Sequence, residues 1–452
     1  TQMTATLTPA DVAPNAPTPV SPIAGATAQP NGVPPEGGRR HQVLVIGGGP
    51  AGAATGYWLA KAGIDVAIVE KGVFPRDKTC GDGLTPRAVT QLQDMGLGDE
   101  LERFHKYSGL RTIAHGRTME LAWPDHPIHP NYGYVVKRCD LDTFVADNAV
   151  AAGAVMHQGT EAVGPVFEGG QLMGATVKHK ASGETYELRS DFVVVADGAK
   201  GRFGRALGTA RNRAMPQGMA IRGYYESPLH ADPWIESALD VRDRQGNAVP
   251  GYGWVFPLGD GTINVGIGLL STFSGFKSVN TSHLMTEWAH TLPDYWGIDP
   301  TAPIEAPTGG RLPMGGSVNP KVGPNWLVAG DAGGSINPFN GEGIDYAYET
   351  GRIGARLLRE SIEGGSAIPL QRYPQLLDDE YGLYFKVGRL FAQIIGRPAL
   401  MHQLTRVGMR SRTLMEWVLA IMANLLRPDE LGAAELAYKS AATIARVIPE
   451  RV

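Results

Sequence analysis

The apolar positions of the chain follow two different periodicities, which together predict a mixed α/β fold. Residues 43–46 form a continuous apolar run, typical of a parallel strand that is buried on both faces. The alanine-rich residues 51–62 predict a helix that packs closely on the sheet, and Val66–Val69 predicts the next strand. Towards the C-terminus, residues 381–395 and 401–426 carry apolar side chains at spacings of three and four, which predicts helices.

A glycine turn with the spacing Gly-x-Gly-x-x-Gly connects the first predicted strand to the first predicted helix. Gly47 permits a tight turn, Gly49 leaves room for a pyrophosphate, and Gly52 lets the helix lie close to the strand. The phosphates would bind the free N–H groups of the helix that starts near Pro50 and Ala51. This turn predicts a nucleotide-binding site.

The next strand ends at Glu70, an acid in the position where a carboxylate accepts hydrogen bonds from ribose hydroxyls. A carboxylate there disfavours a 2′-phosphate. Strand, glycine turn, helix, strand and acid in this order predict a dinucleotide, and leave open whether it is FAD or NAD.

A turn-rich segment, residues 73–89, follows and contains the sequence Cys80-Gly81-Asp82. By themselves, a cysteine is usually a small buried apolar residue and an aspartate a turn former. Their place beside glycines, at the carboxyl end of a predicted sheet, makes a functional role equally plausible.

Two further strand ends are candidates for cofactor contacts. Arg138 lies where a strand leads into a helix that Asp140 or Asp142 would cap, and it would either reach a phosphate or form a surface ion pair. The apolar run of residues 191–198 ends at Asp197 and is followed by a basic loop. Both positions are therefore candidate contacts with the nucleotide.

A third strand end has the sequence Gly330-Asp331 and is followed by the glycines Gly341 and Gly343. Asp331 would hold a hydroxyl of a ribityl chain. The N–H groups near Gly341, Gly343 and Ile344, at the start of a helix, form an anion site suited to the negative edge of a reduced flavin. The opening glycine-turn unit and the strand ends at Asp197 and Asp331 are separated by long insertions, and together they predict one split FAD-binding fold.

Tyr252, Trp254 and Phe256 alternate along one predicted strand, so their side chains share a face. An ordinary sheet core explains this pattern equally well when it is taken alone. Beside a flavin, the same face would provide an apolar, water-poor wall.

Composition limits the function classes. The chain has 452 residues, enough for two or three domains, and a net charge of −4 that gives no overall signature for nucleic acid. Its two cysteines, Cys80 and Cys139, provide neither a disulfide framework nor a metal-binding pattern, which is typical of a reducing cytoplasm.

The first 40 residues are rich in Ala, Pro, Thr and Gly, which predicts a disordered tail without the features of a secretory signal. The sequence contains no apolar window of about 20 residues that would predict a membrane span.

Several of these motifs together resemble the geranylgeranyl reductase family of FAD-dependent oxidoreductases, most closely its actinobacterial menaquinone reductase branch. They are VIGGGPAG with Glu70, PRDKTCGDGLTPRAV, PGYGWVFPLGDGTINVGIG, VVVADG and AGDAGGSINPFNGEGIDYA. The resemblance implies an α/β fold with a glutathione-reductase-like, Rossmann-type FAD-binding domain, an inserted antiparallel-sheet substrate domain and a C-terminal helical region.

The domain boundaries expected on this basis fall into seven segments. They are a disordered tail at 1–40, FAD-binding parts at 41–105, 136–215 and 325–370, substrate-domain segments at 106–135 and 216–324, and the helical region at 371–452.

The resemblance also implies an activity: hydride transfer from reduced FAD that saturates a carbon–carbon double bond in a polyprenyl chain, expected to be one isoprene unit of menaquinone. NADPH is the expected external electron donor. Tyr252, Trp254 and Phe256 would line the isoprenoid pocket, and Cys80, Gly81 and Asp82 would lie beside the flavin. Cys80 and Tyr252 are the candidate proton donors, although Cys80 would alternatively only shape the flavin face.

The expected partners are a polyprenyl lipid or quinone, with no nucleic acid, in the cytoplasm or peripherally on the inner face of the cell membrane. The C-terminal helices would form either a cap on the core or a basic, apolar surface on an anionic membrane. Two other functions stay open at this point: an FAD-dependent monooxygenase or halogenase, and a non-catalytic lipid-binding flavoprotein.

Overall fold

The computed structural model describes residues 40–242, 246, 251–273, 275–427 and 432–448. The predicted disordered tail therefore lies outside the described residues except for Arg40, which begins the first strand.

The strands, in chain order, are β1 Arg40–Ile46, β2 Val66–Val69, β3 Gly83–Leu84, β4 His105–Tyr107, β5 Gly109–Ala114, β6 Arg117–Ala122, β7 Gly133–Val135, β8 Val155–His157, β9 Thr160–Glu168, β10 Gln171–His179, β11 Thr185–Val195, β12 Ala210–Arg211, β13 Gln217–Glu226, β14 Trp234–Ala238, β15 Gly251–Pro257, β16 Thr262–Leu270, β17 Thr308–Pro313, β18 Val318–Asn319 and β19 Trp326–Val328. The α-helices are α1 Pro50–Lys61, α2 Pro86–Asp94, α3 Gly98–Leu101, α4 Arg138–Ala151, α5 Phe203–Ala206, α6 Thr281–His290, α7 Ile344–Glu363, α8 Tyr373–Leu377, α9 Leu383–Ile395, α10 Pro398–Gly408, α11 Arg412–Met422 and α12 Ala433–Val447.

The first sheet has the strand order β8-β2-β1-β11-β10-β9, and β19 pairs with the second half of β11. The strands β8, β2, β1, β11 and β19 run parallel, whereas β9 and β10 are antiparallel to their neighbours. Val43 to Val45 on β1 are fully buried, and α1 packs against α4 and α7 beside this sheet. The continuous apolar run of β1 is thus explained by burial on both faces of a parallel strand.

The second sheet has the order β17-β13-β16-β15-β14-β5-β6. It is antiparallel, as expected for the substrate domain, except for the one pair of β14 and β5, which run parallel. Its outer side is covered by α6, whose Trp288 packs with Trp296 and the apolar residues of β15 and β16. Two small sheets have the strand orders β3-β7-β4 and β12-β18.

The C-terminal region is helical, as predicted, but residues 401–426 do not form one helix. The chain breaks at Met409 and Ser411, and the Ser411 side chain accepts a hydrogen bond from the Leu414 N–H to cap α11. A single π turn, Asp378–Gly382, precedes α9. Within the described part of the chain, each helix is too short or too polar to cross a membrane.

Candidate active site

A cavity of about 1190 Å³ lies between the first sheet, the second sheet and the helices α9 to α11. This volume exceeds the usual range of about 300–1,000 Å³ for small-molecule pockets. Ile46, Val69, Ala196 and Ala329, which end or directly follow β1, β2, β11 and β19, all line it. The carboxyl ends of the parallel strands therefore meet at the cavity, where open α/β sheets place their ligands.

The glycine turn has the geometry that a dinucleotide requires. Gly47 adopts φ +106°, and a Cβ there would lie 2.3 Å from the carbonyl oxygen of Ala196. A Cβ on Gly52 would lie 1.8 Å from the carbonyl oxygen of Gly47, whereas beside Gly49 the nearest atom is Arg76 Nη2 at 3.7 Å. Gly49 caps α1 without a side-chain hydrogen bond, so the first N–H groups of the helix are available to a phosphate.

Glu70 is buried at the cavity edge and is held by three donors. Its Oε2 accepts a hydrogen bond from the Gly48 N–H at 2.9 Å and one from Arg76 Nη2 at 3.2 Å, and its Oε1 accepts one from the Gly72 N–H at 2.8 Å. These bonds fix the carboxylate next to the glycine turn. This arrangement fits the role of ribose acceptor that the sequence predicts.

The third strand end reaches the same cavity. Asp331 forms an ion pair with Lys78 at 3.2 Å, and Gly341, Gly343 and Ile344 line the wall beside it. Gly343 caps α7 without a side-chain hydrogen bond, which leaves the N–H groups of the first helical turn available to a ligand. The residues predicted to form an anion site therefore line the cavity, and their role in binding stays a prediction.

Most of the predicted cofactor-binding residues line this cavity, namely Gly47, Gly49, Pro50, Ala51, Glu70, Cys80, Gly81, Arg138, Asp197, Asp331, Gly341, Gly343 and Ile344. Gly52, Asp82 and Gly330 do not. Gly52 lies beneath the turn, and Gly330 packs against Ala51, where a Cβ would approach to 2.8 Å. Asp82 is fully buried, and its Oδ2 accepts hydrogen bonds from Tyr224 and Asn264.

Arg138 is buried at the start of α4, and no aspartate caps this helix. The N-cap of α4 is Lys137, without a side-chain hydrogen bond, so the prediction of an Asp140 or Asp142 cap is wrong. Asp142 instead accepts two hydrogen bonds from Arg138, at 2.7 Å each, and one from Arg76 at 3.0 Å. Asp142 lies one turn after Arg138, and this spacing favours the ion pair over the cap.

The candidate proton donors differ in their surroundings. Burial raises the pKa of the Cys80 thiol, so the thiol keeps its proton near neutral pH. Burial also raises the pKa of Tyr252, whose hydroxyl donates a hydrogen bond to the Asn340 carbonyl at 2.7 Å. The Tyr252 proton is therefore engaged with the backbone.

The three aromatic side chains of β15 share the cavity face, as the alternation predicts. The ring centroids of Tyr252 and Trp254 are 5.8 Å apart, and those of Trp254 and Phe256 are 6.2 Å apart. The indole of Trp254 lies across Gly266, where a Cβ would come within 2.0 Å of it. The opposite wall is formed by apolar side chains of α9 to α11, namely Phe391, Ile395, Met401, Leu404, Leu414, Met415, Val418 and Met422.

Sequence reasoning missed a cluster of buried carboxylates at the start of α7, formed by Glu342, Asp345 and Glu349. Glu349 accepts two hydrogen bonds from Arg87, at 2.7 and 2.8 Å, and Asp345 lies 3.7 Å from the same guanidinium. Glu342 accepts a hydrogen bond from the Thr85 hydroxyl, and burial raises the pKa of Glu342 to about 7. The sequence does contain a signal for this cluster, since Glu342, Asp345 and Glu349 follow one another at spacings of three and four residues.

The raised pKa of Glu342 gives a testable pH dependence. The folded protein keeps a proton that the unfolded chain releases above pH 4.5, so the contribution of Glu342 to stability is full below pH 4.5 and is lost as the pH rises through about 7. We expect Glu342→Gln to reduce the loss in free energy of unfolding between pH 5 and 8 by about 2 kcal/mol. Thermal or urea unfolding at these pH values measures the effect. Glu363→Gln, at the exposed C-terminal end of α7, is the control, and equal slopes of stability against pH in both variants would contradict the prediction.

Comparison with known proteins places this site in a family. A family described as FAD binding domain matches residues 40–246. The chain is 39% identical over 415 residues to a menaquinone reductase from Mycolicibacterium smegmatis, with 91% of this chain and 98% of that protein covered. The chain belongs to the menaquinone reductase family. It is also 28% identical over 361 residues, covering 78% of this chain and 90% of that protein, to digeranylgeranylglycerophospholipid reductase 1 from Methanopyrus kandleri.

Solved structures show the same fold. A geranylgeranyl bacteriochlorophyll reductase-like protein from Thermoplasma acidophilum superimposes with a TM-score of 0.72 at 22% identity, covering 90% of this chain and all of that one. A flavin-dependent brominase superimposes with a TM-score of 0.69 at 18% identity, covering 90% of this chain and 99% of that one. These superpositions confirm the predicted fold class. The match to the FAD binding domain identifies the dinucleotide as FAD rather than NAD. With the reductases as relatives, the protein is an FAD-dependent oxidoreductase.

Proposed function

We propose that this menaquinone reductase family member saturates one carbon–carbon double bond in the polyprenyl tail of menaquinone. The observation that carries the proposal is the lining of the cavity. One end has the glycine turn and helix N-termini for FAD, and the same space continues between the aromatic face of β15 and the apolar wall of α9 to α11. An isoprenoid tail is the ligand chemistry that matches such a long apolar continuation.

Bound FAD supplies the hydride for this reaction. Hydride and proton add to the two alkene carbons, so the π bond is replaced by two C–H bonds. The chain itself must place the tail, exclude water and provide the proton. Trp254 and Phe256 would hold the alkene beside the loop of Cys80, Gly81 and Asp82 (the Cys80 loop). The two rings lie against this loop, because a Cβ added to Gly81 would be 3.1 Å from the Phe256 ring and 3.5 Å from Trp254 Nε1.

Cys80 is the proton donor that the geometry favours. Its thiol is protonated and lines the cavity, whereas the Tyr252 hydroxyl would have to release the Asn340 carbonyl before donating to a substrate. The electron-rich rings of Tyr252 and Trp254 would stabilise positive charge that develops on the alkene as the proton arrives. Tyr252 therefore contributes to binding and electrostatics in this proposal.

The electron donor in this proposal is NADPH. Among the described residues, the glycine turn of Gly47 to Gly52 is the one Gly-x-Gly-x-x-Gly unit between a parallel strand and a helix, and FAD takes it. NADPH would therefore approach from the cavity mouth, where the exposed Lys200, Arg202 and Arg311 contribute to the lining.

Peripheral contact with an anionic membrane is part of the same proposal. On α10, Leu400, Leu404 and Val407 are 38%, 45% and 58% exposed, and the exposed Arg397 and Arg406 lie beside them. Leu404 also lines the cavity, so this apolar face is continuous with the binding space. A lipid tail could then pass from the bilayer to the site without crossing water.

This surface gives a second prediction. We expect the double variant Leu400→Glu and Val407→Glu to bind phosphatidylglycerol vesicles about tenfold more weakly, because it loses apolar contact and adds repulsion. Cosedimentation with vesicles measures the binding. Val163→Glu is the control, since Val163 is 53% exposed and lies on β9 of the first sheet rather than on α10. Equal binding by all three proteins would contradict the membrane contact.

The proposed activity is tested with the reduced holoenzyme under anaerobic conditions. It is mixed with menaquinone that has an unsaturated tail, or with the same quinone whose tail is fully saturated, and the flavin absorbance is followed. We expect oxidised flavin to return with the unsaturated tail alone. Equal return with both would indicate reduction of the quinone ring, and no return with either would fit a flavoprotein that only binds lipid.

A further inference from the structure

Asn264 lies in the middle of the apolar strand β16, is fully buried, and touches both sides of the proposed active site. Its Nδ2 donates to the Cys80 carbonyl oxygen at 2.9 Å and to Asp82 Oδ2 at 2.8 Å. Its Oδ1 accepts a hydrogen bond from Trp254 Nε1 at 2.9 Å. One amide therefore connects the loop that carries the thiol to the ring that would hold the substrate.

The loop needs such a connection because its backbone is irregular. Asp82 adopts φ +67°, a left-handed conformation that a non-glycine residue rarely takes without support. The Tyr224 hydroxyl donates to the same Asp82 oxygen at 2.6 Å, and the Arg222 guanidinium lies 4.2 Å from the Tyr224 ring centroid. Asp82 is thus held from two sides, by β13 and by β16.

We propose that Asn264 is a positioning residue that fixes the Cys80 loop against Trp254 through one shared set of hydrogen bonds. A buried amide can donate hydrogen bonds to a carbonyl and a carboxylate while it accepts one from an indole N–H. An apolar side chain of the same size would leave all three of these buried groups without that hydrogen bond. This inference rests on the proposed function, because it concerns the donor thiol and the aromatic wall of the same site.

The test compares Asn264→Leu and Asn264→Asp with the wild-type holoenzyme at pH 8. Asn264→Asp keeps the shape of the side chain but places an oxygen where the Nδ2 donor faces Asp82. The readout is the rate at which N-ethylmaleimide alkylates Cys80 relative to Cys139, measured by peptide mass spectrometry. Cys139 is the internal reference because it is the other of the two cysteines in the chain.

We expect both variants to raise the Cys80 rate relative to Cys139 by about tenfold, because loss of these bonds lets the loop open more often. In turnover, kcat should fall while reduction of the flavin by its donor stays unchanged. Asn325→Leu is the matched control: Asn325 is also buried, and its Nδ2 donates to the carbonyls of Leu172 and Asp191, at 2.7 Å each, in the first sheet.

Two results would overturn the inference. One is an unchanged Cys80 ratio in both Asn264 variants, and the other is the same increase in Asn325→Leu, which would indicate general loosening. A change in Asn264→Leu alone would also count against it, because packing would then explain the effect. Alkylation does not depend on turnover. The alkylation ratios therefore test the role of Asn264 even if the wild-type protein fails to reduce a polyprenyl tail.

Discussion

Gly52→Ala is expected to give a protein that no longer retains FAD. A Cβ at this position would lie 1.8 Å from the carbonyl oxygen of Gly47, and 3.2 Å from a methyl of Val45. The first contact is with backbone, which cannot rotate away, so α1 and the glycine turn would have to separate. This movement displaces the N–H groups intended for the pyrophosphate. We expect affinity for FAD to fall by at least about a hundredfold.

The flavin-to-protein ratio after purification, followed by fluorescence titration with FAD, measures this loss. Gly164→Ala is the matched control, since a Cβ there would meet no atom within 4 Å and the residue has no left-handed backbone. It should retain flavin as the wild type does. A stoichiometric flavin content in Gly52→Ala would contradict the role assigned to the turn.

Cys80→Ala is expected to lower kcat for tail reduction by about a hundredfold to ten-thousandfold, the range for loss of a positioned proton donor. The hydride-accepting alkene is not activated by a neighbouring carbonyl, so the proton must arrive as the hydride does. Cys80→Ser, which keeps an exchangeable proton, should retain part of the activity. Reduction of the flavin by NADPH should be unchanged in both variants, because it precedes the step that needs the thiol.

Stopped-flow kinetics separates these two half-reactions. Cys139→Ala is the control, since Cys139 lies on α4 and is absent from the cavity lining. Tyr252→Phe removes the competing hydroxyl and, in this account, affects binding more than kcat. Full activity in Cys80→Ala combined with its loss in Tyr252→Phe would reverse the assignment.

Features that depend on neighbouring residues along the chain could be predicted from the sequence. The roles of Gly47, Gly49 and Gly52 follow from their spacing, and the structure gives each the predicted environment. The shared face of Tyr252 and Trp254 follows from strand alternation. Local chemistry was therefore sufficient for the cofactor turn and for the aromatic wall.

Features that depend on distant parts of the chain could not be predicted. Asn264 meets Asp82 across 182 positions, and the parallel pair of β5 and β14 joins segments that are similarly far apart. The side-chain direction of Asp82 depends on its left-handed backbone and on the hydrogen bond from Tyr224, and neither feature could be predicted from neighbouring residues. The division between α10 and α11 was missed because Gly408 does not interrupt the apolar periodicity.

The central claim is that the reducing equivalents enter the polyprenyl tail, and the most direct test is the mass of the product. Reduced holoenzyme is incubated anaerobically with menaquinone, the quinone is extracted and reoxidised, and tandem mass spectrometry locates any added hydrogen. The account predicts a gain of two hydrogens in a tail fragment, with the ring fragment unchanged. An unchanged tail, or a product that forms only when oxygen is present, would contradict it.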